Sequence, residues 1–271
     1  MLNISIVTYC PQWETEVNPL IDELLQVRHL CKVYIVDNSP ENNGEKVRQG
    51  DSVQYIFTGA NVGYGRAHNI ALRESIFDDT PFHLVLNSDI LVRAEDIDLL
   101  CEFMQSNPLV GSMMPRITNP QGELQYMCKL LPTPFDVFAR RFLPQRWTAK
   151  RNARYELHHA DYTRPMNIPY LSGCFMFLRT SAVQKARLFD ERYFMYPEDI
   201  DLTRTIHRDY LTLYYPAVTI VHNHARSSYK SLRMLWVHVV NMCRYFNKWG
   251  WFFDAERRRY NRETLAQYTT P

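Results

Sequence analysis

Three acids fall within four residues in the stretch "YFMYPEDIDL" (193–202), directly after a proline and an aromatic lead-in. Carboxylates placed this way do one of two things. They favour the positive end of a helix dipole, or one of them takes a proton from a substrate as a general base. Pro197 suits a helix start, where its missing N–H costs nothing. A 3.6-residue period then puts Asp199, Leu202, Ile206 and Tyr210 on one face, and Glu198, Asp201, Thr205 and Arg208 on another. Capping accounts for Glu198 and Asp201. An inward carboxylate at Asp199 calls for a partner, a metal or a catalytic task.

Three further stretches carry groups of chemical interest. "LNSD" (86–89) ends a strand-like run in Asn87, Ser88 and Asp89. A carboxylate there can ligate Mg²⁺ or Mn²⁺, which prefer oxygen ligands; it is equally good turn chemistry. "GANVGYGRAHNIAL" (59–72) leads three glycines and two asparagines into a helix, with Arg66 as a fixed positive charge. Free N–H groups at a helix start suit phosphate oxygens, although this is neither a Walker A nor a strict dinucleotide fingerprint. "VHNHARSS" (221–228) puts His222 and His224 on one face of a strand end, either of them a metal ligand.

The elements that must hold these groups alternate. Strand runs at 4–9, 32–38, 53–57 and 83–89 are interleaved with helical spacing at 16–30, 65–76 and 94–105. Runs this apolar, in β-α-β order, predict a mostly parallel sheet with helices on both sides. Ligands bind such sheets at the carboxyl ends of the strands, where Thr8–Tyr9, Asp37–Asn38 and Asn87–Asp89 stand. Residues 118–165 read as a long excursion, 170–180 and 211–222 as strands, and about 229–251 as a helix.

The 271 residues suffice for one large core or two modest domains. The net charge of +2, from 31 Lys+Arg and 29 Asp+Glu, argues against a nucleic-acid binder. None of the six cysteines is closely spaced, so no zinc or redox motif is readable and a reducing cytoplasm is expected. The first residues show no signal peptide. No apolar run approaches the ~20 residues needed to cross a bilayer. The stretch 229–259 mixes aromatics with Lys230, Arg233, Arg244, Lys248 and Arg257–Arg259, which fits either a helix packed on the domain or one lying on an anionic bilayer.

Taken in order over residues 3–228, these pieces resemble the family 2 glycosyltransferases of the GT-A fold, in particular the bacterial rhamnosyltransferase-like branch. "IVTY", "VDNS", "NVGYGRAHN", "LNSD", "LSGCFMFLRTSAV…LFDERYFMYPEDIDLTRTI" and "PAVTIVHNHARSS" carry the resemblance. It implies an α/β GT-A domain over 1–228, with a nucleotide-binding half (1–117) and an acceptor-side half (118–228), followed by a helical extension at 229–271. It also implies an inverting, metal-dependent transfer of a sugar, rhamnose among the candidates, from a dTDP- or UDP-linked donor to a saccharide or lipid-linked acceptor in cell-surface polysaccharide synthesis.

Residue by residue, the resemblance gives Thr8, Tyr9, Asp37, Asn61, Arg66, Asn69, Asn87 and Ser88 to the nucleotide-sugar. Asp89 and His222 would hold Mg²⁺ or Mn²⁺, and Asp199 would be the base. Gly173, Tyr196 and Glu198 would meet the acceptor, with Tyr193 and Phe194 beside them. Peripheral contact with the inner face of the cytoplasmic membrane would follow from a lipid-linked acceptor. A sugar nucleotidyltransferase would instead need a Gly-rich basic loop after the first strand, where "CPQWETEV" stands. A non-catalytic binding module finds support in Asn87, which replaces an expected acid, but not in an intact Asp199.

Overall fold

A computed structural model describes residues 1–142, 145–223 and 232–268. In chain order the elements are β1 (Leu2–Thr8), α1 (Asn18–Leu24), β2 (Leu30–Asp37), β3 (Val53–Phe57), α2 (Tyr64–Phe77), β4 (Phe82–Leu86), β5 (Ile90–Leu91), α3 (Ala94–Ser106) and β6 (Val110–Thr118). There follow β7 (Cys128–Lys129), α4 (Pro134–Phe142), α5 (Gln145–Tyr155), β8 (Met166–Asn167), β9 (Tyr170–Leu171), β10 (Phe175–Arg179), α6 (Thr180–Ala186), α7 (Glu198–Ile206), β11 (Leu211–His222), α8 (Leu232–Trp249) and α9 (Ala255–Ala266).

The main sheet runs β3-β2-β1-β4-β10-β6-β11-β5, with β8 also on β11. The first four strands are parallel, and so are β6 and β11. β10 runs against both of its neighbours. All five residues of β4 are buried, as expected of a strand covered on both faces. Among the described residues no helix is long and apolar enough to cross a membrane.

The reversal at β10 positions the site. Because β10 is antiparallel to β4, Phe175 pairs with Leu86, and the start of β10 lies beside the carboxyl end of β4. The amide of Asn87 accordingly donates to the carbonyl of Cys174 at 3.0 Å. At the other edge, β5 pairs His222 with Ile90, and the Asn223 amide donates to the Asp89 carbonyl at 2.9 Å. Two hydrogen-bonded joints thus bring 173–174 and 222–223 to the single turn 87–89.

Several sequence expectations change here. The run 170–180 is two strands broken by Ser172–Cys174, which bend into the site. Residues 110–118 form a central strand that the sequence reading missed, because Gly111 and Pro115 both disfavour strand interiors. The sheet accommodates Pro115 where the register against β11 slips, between Tyr215 and Thr219. The excursion at 118–165 contains β7, α4 and α5.

The C-terminal helices are part of the folded body. Met242, Tyr245 and Phe246 of α8 and Tyr260 of α9 share a buried cluster with Leu131, Tyr170, Tyr193 and Ile200. Arg204 of α7, 1% exposed, forks onto Asp254 at 2.8 and 2.7 Å and lies 4.0 Å from the Trp249 ring.

Candidate active site

A cavity of about 1000 Å³ opens where the carboxyl ends of the strands meet the start of α7. Its wall contains Thr8, Tyr9, Asn61, Asn87, Ser88, Asp89, Gly173, Tyr196, Glu198, Asp199 and His222. Residues that stand up to 214 positions apart in the chain, from Thr8 to His222, therefore meet at one site.

Asp199 sits in the first turn of α7 and is 9% exposed. Its Oδ2 accepts from the Gly173 amide at 2.9 Å and its Oδ1 from the Ile200 amide at 2.7 Å. Burial pushes its pKa from 3.8 up to about 6, while those two amides and the Lys129 ammonium limit the rise. A Cβ on Gly173 would lie 3.1 Å from the Asp199 Cβ. The room that this glycine leaves is therefore taken by Asp199 itself, where the resemblance gave it to the acceptor.

The helical-phase expectation for the other two acids is corrected. Glu198 and Asp201 are not an exposed cap; both are buried, and Pro197 at the N-cap makes no side-chain capping bond. Asp201 binds the Lys248 ammonium at 2.7 Å and the Trp249 indole N–H at 2.6 Å, anchoring α8. Glu198 lines the cavity, and its Oε2 is buried with no protein partner. Burial, then the neighbouring Asp199 charge, holds the Glu198 carboxyl well above the ordinary carboxylate range.

His222 is 3% exposed, with Nε2 at 3.3 Å from Asp89 Oδ1. Gln125 fixes its ring: the Gln125 Nε2 donates to the His222 carbonyl at 2.9 Å, which turns Oε1 toward Nδ1 at 3.0 Å. Nδ1 then carries a hydrogen, and Nε2 faces Asp89. His224, the alternative ligand, lies outside the described residues. Asn87 turns toward Tyr64, whose hydroxyl is 3.0 Å from its amide oxygen and donates to the Gly173 carbonyl at 2.7 Å. Ser88 donates to Glu16.

Three of the residues expected at the nucleotide are not in the wall. Asp37 is fully buried and accepts from Thr8 Oγ1 (3.1 Å), the Ser39 amide (3.0 Å), Ser39 Oγ (2.5 Å) and Tyr55 (2.9 Å), so it stiffens the pocket floor from beneath. Asn69 is buried and uses its amide on both backbone groups of Phe189 and on Glu191. Arg66 pairs with Glu191 at 3.7 Å on the surface. The motif "GRAHN" thus ties α2 to the loop before α7, and the expectation that Arg66 and Asn69 reach the diphosphate is corrected: their side chains are already engaged elsewhere. Tyr193 is likewise core, with its hydroxyl 3.4 Å from Asp201.

Tyr196 does face the cavity, at a φ of 94° that a bulky side chain rarely adopts. Gly63 (φ 93°) supports the same loop: a Cβ there would meet the Phe194 carbonyl at 2.5 Å. Wall residues missed in the sequence include Tyr64, Glu16 and Lys129. Tyr64 stands in the Gly-rich lead-in to α2, where only the Asn and Arg residues were singled out, and Lys129 in the stretch read as an excursion. Glu16 lies within a π-helical turn (Trp13–Val17) of the kind that marks functional sites, but that turn has no readable signature.

The family model "Glycosyl transferase family 2" matches residues 5–187. N-acetylglucosaminyl-diphospho-decaprenol L-rhamnosyltransferase of Mycobacterium tuberculosis is 28% identical over 243 residues, 84% of this chain and 78% of that one. Rhamnosyltransferase WbbL of Escherichia coli is 25% identical over 253 residues, 90% of this chain and 92% of that one. The crystal structure of GalNAc-T7 with UDP, GalNAc and Mn²⁺ superposes with a TM-score of 0.65 at 14% identity; it covers 92% of this chain, which spans about half (48%) of that protein. With the mostly parallel sheet, the strand-end cavity and a family match over most of its length, the chain belongs to glycosyl transferase family 2 and has a GT-A-like fold.

Proposed function

We propose that this cavity transfers a sugar with inversion, rhamnose being the leading candidate, from a nucleoside-diphosphate donor to the hydroxyl of a saccharide on a lipid-linked acceptor. The reading rests chiefly on Asp199, a buried carboxylate gripped by two backbone amides in the same cavity as the Asp89–His222 pair. Cell-surface polysaccharide synthesis is the proposed setting, as the names of the two rhamnosyltransferase relatives suggest.

The donor's nucleotide would lie along Thr8, Tyr9 and Asn61. Among the described residues the wall holds Glu16, Glu23, Asp89 and Asp199, with the Glu198 carboxyl beside them, against one Lys or Arg, so a diphosphate entering alone would meet like charge. Asp89 and His222 Nε2 are the residues that would hold Mg²⁺ or Mn²⁺. The ion, when bound, would neutralise charge on the departing diphosphate.

Asp199 takes the proton from the acceptor hydroxyl as its oxygen bonds to the anomeric carbon. The bond from that carbon to the diphosphate oxygen breaks on the opposite face, which inverts the centre. A base of pKa about 6 is ionised at neutral pH and more basic than an ordinary aspartate. Glu198 presents its unpartnered Oε2 to an acceptor hydroxyl. Tyr196 offers a ring face to the sugar.

The acceptor's lipid would sit at the inner face of the cytoplasmic membrane, against the aromatic residues that the C-terminal half exposes, Trp147, Trp236, Phe252 and Phe253.

Calorimetry with a panel of dTDP- and UDP-sugars, with Mn²⁺ and with chelator, tests the donor half of this reading. One sugar nucleotide is expected to bind, and chelation, Asp89→Ala and His222→Ala are each expected to weaken it roughly 10- to 100-fold. No binding by any of them, or affinity indifferent to Mn²⁺, sinks the metal-assisted reading.

A further inference from the structure

Ser172–Cys174 joins β9 to β10, and Gly173 at its centre carries the amide that grips Asp199 at 2.9 Å. A side chain cannot hold this residue in place, because a Cβ on it would lie 3.1 Å from the Asp199 Cβ. Glycine also has the widest backbone freedom, so hydrogen bonds must fix it. The Ser172 amide donates to the Met127 carbonyl at 3.2 Å, and the Cys174 carbonyl accepts from the backbone amide of Asn87 at 3.0 Å. Between them the Gly173 carbonyl accepts from the Tyr64 hydroxyl at 2.7 Å.

Tyr64 is itself held. It opens α2, its amide donates to the Phe194 carbonyl at 3.1 Å, and its ring lies edge-on to the His68 ring at 4.4 Å. The hydroxyl meets a second group at 3.0 Å, one end of the Asn87 side-chain amide. Burial pushes the phenol's pKa well above its ordinary value, so the hydroxyl keeps its single hydrogen. That hydrogen serves the shorter bond, to Gly173, and toward Asn87 the phenol oxygen can only accept. The two ends of an asparagine amide are told apart by their partners, so the end that faces Tyr64 is the NH₂ rather than the oxygen. A carboxylate in the same place has no hydrogen to give. It would instead take the phenol's hydrogen, because a bond to a charged acceptor is roughly twice as strong as a neutral one, and the Gly173 carbonyl would lose it.

We propose that Tyr64 is a positioning residue for the base, acting through Gly173, and that residue 87 is an asparagine because an acid there would draw the phenol's hydrogen off the Gly173 carbonyl. Its consequence for turnover rests on the transferase reading above, which it deepens by joining the turn beside the metal pair to the base. It also gives a physical reason for an amide at the position where the resemblance leads one to expect an acid.

The test reads the Asp199 carboxyl and turnover separately. NMR on protein labelled at the aspartate carboxyls follows Asp199, whose signal is identified by its absence in D199N, and in the wild type it should titrate at about 6. In Y64F the Gly173 amide is held less firmly, so the midpoint should rise. The other groups that bear on Asp199, the Ile200 amide, Lys129 and Glu198, are untouched by this variant. An unchanged midpoint overturns the proposal whether or not the protein transfers a sugar. A raised midpoint in a protein that transfers nothing upholds the positioning role and faults the transferase reading alone. In turnover, Y64F should lose roughly 3- to 10-fold in kcat, with Mn²⁺-dependent donor affinity kept within about two-fold, as for one hydrogen bond remote from the donor. N87D keeps the size of the side chain and supplies the expected acid, yet it should lose as much kcat as Y64F. N87A leaves the phenol's hydrogen on Gly173 and should lose less. In the Y64F background N87D should cost no more kcat than N87A, since no hydrogen remains to be diverted. Equal kcat in N87D and N87A, or an excess loss in N87D that persists in the Y64F background, overturns the role given to Asn87. A Y64F loss that lies wholly in KM or donor affinity would make Tyr64 a donor-site residue and overturn the proposal.

Discussion

The two halves of the molecule solve burial differently. The half from β1 to β6, proposed to take the nucleotide, buries two carboxylates, Asp37 and Asp98, and is otherwise linked mainly by neutral hydrogen bonds. Asn3, Ser5, His68, Ser75 and His83 link β1, β4 and α2, with Ser5 Oγ 2.7 Å from His68 Nδ1 and 2.8 Å from His83 Nε2. The C-terminal half, proposed to take the acceptor, is held by buried charge: Arg204 on Asp254, Lys248 on Asp201, and the Glu198–Asp199 pair in the wall. Burial disfavours whichever form is charged. It pushes His83 down to about 3 and His68 well below its ordinary value, and it pushes Glu198, Asp199 and Asp201 up. A frame that only positions can be neutral, whereas a site that moves a proton needs a carboxylate whose basicity has been raised.

The sharpest break of that comparison is Asp199→Asn. As the general base, its loss should lower kcat on the order of 10²–10⁴-fold while donor affinity holds. In wild type, kcat should fall as pH drops through about 6, because the base becomes protonated. The stability sign is opposite. A carboxyl whose pKa is higher folded than unfolded binds more protons in the native state between 3.8 and about 6, so its ionisation costs stability at neutral pH. The rise corresponds to ~3 kcal/mol, and the weaker hydrogen bonds of the amide offset part of it, so Asp199→Asn should gain about 1–2 kcal/mol in denaturant titration at pH 7. Normal turnover, or a loss of stability with donor binding gone, would remove Asp199 from the chemistry and make it an ordinary structural acid.

Arg204→Ala probes the frame of the acceptor side. It strands Asp254, which is buried, and should cost about 3–5 kcal/mol in denaturant titration. Because α8 and α9 are secured through Arg204, transfer should fall with them, while Mn²⁺-dependent donor binding survives wherever the protein remains folded. A variant as stable as wild type would show that the C-terminal helices contribute little to the folded body.

The same contrast explains what could be read in advance. β1 to β4 and the polar residues at their ends were legible because parallel strands are apolar throughout and end abruptly at the ligand side. Asp199 was legible from helical phase. The phase argument failed for Asp201 and Glu198 because it knows only one buried face, and α7 is covered on nearly all sides once α8 packs on it. Arg66 and Asn69 misled because a Gly-rich lead into a helix looks alike whether it cradles phosphate or braces a loop. Lys129 was unreadable: its strand has two residues, and only its pairing with Tyr170 brings it to the site.

The histidines allow a pH test of the nucleotide side. A His whose folded pKa lies below its unfolded value costs stability as pH falls through the unfolded value near 6.5. For His83 the loss between pH 7 and 5 should be about 2 kcal/mol, which His83→Gln should abolish. His207 on the acceptor side, lowered by burial to about 4, adds the same sign, and the raised carboxylates add the opposite one. The difference between wild type and His83→Gln, measured by denaturant midpoints across this range, isolates the nucleotide-side contribution. A difference that does not vary with pH would mean that His83 titrates alike in the folded and unfolded protein.

The smallest effect concerns the outer surface of the acceptor side and the membrane proposed to lie against it. Residues 134–155 hold six Arg or Lys against one Asp, although the whole chain carries only +2. Trp147 is 68% exposed under the Arg146 guanidinium, and Phe253 is 89% exposed beside Arg258. Phe138 stacks on Trp251 at 6.5 Å, which brings α4 to the α8–α9 turn where Phe252 and Phe253 protrude. Aromatic tips beside cations suit an anionic interface. The protein should sediment with phosphatidylglycerol vesicles and not with purely phosphatidylcholine ones, and 0.5 M salt should release it. Arg146→Gln should weaken partitioning about five-fold, the ~1 kcal/mol expected per basic residue, and Phe253→Ser should weaken it further. Transfer to a water-soluble acceptor should not change in either variant, since neither residue lines the cavity. Failure of the wild-type protein to bind anionic vesicles would leave the charge segregation of the acceptor side without a membrane partner, and sedimentation at equal strength with neutral vesicles would assign the contact to the aromatics alone.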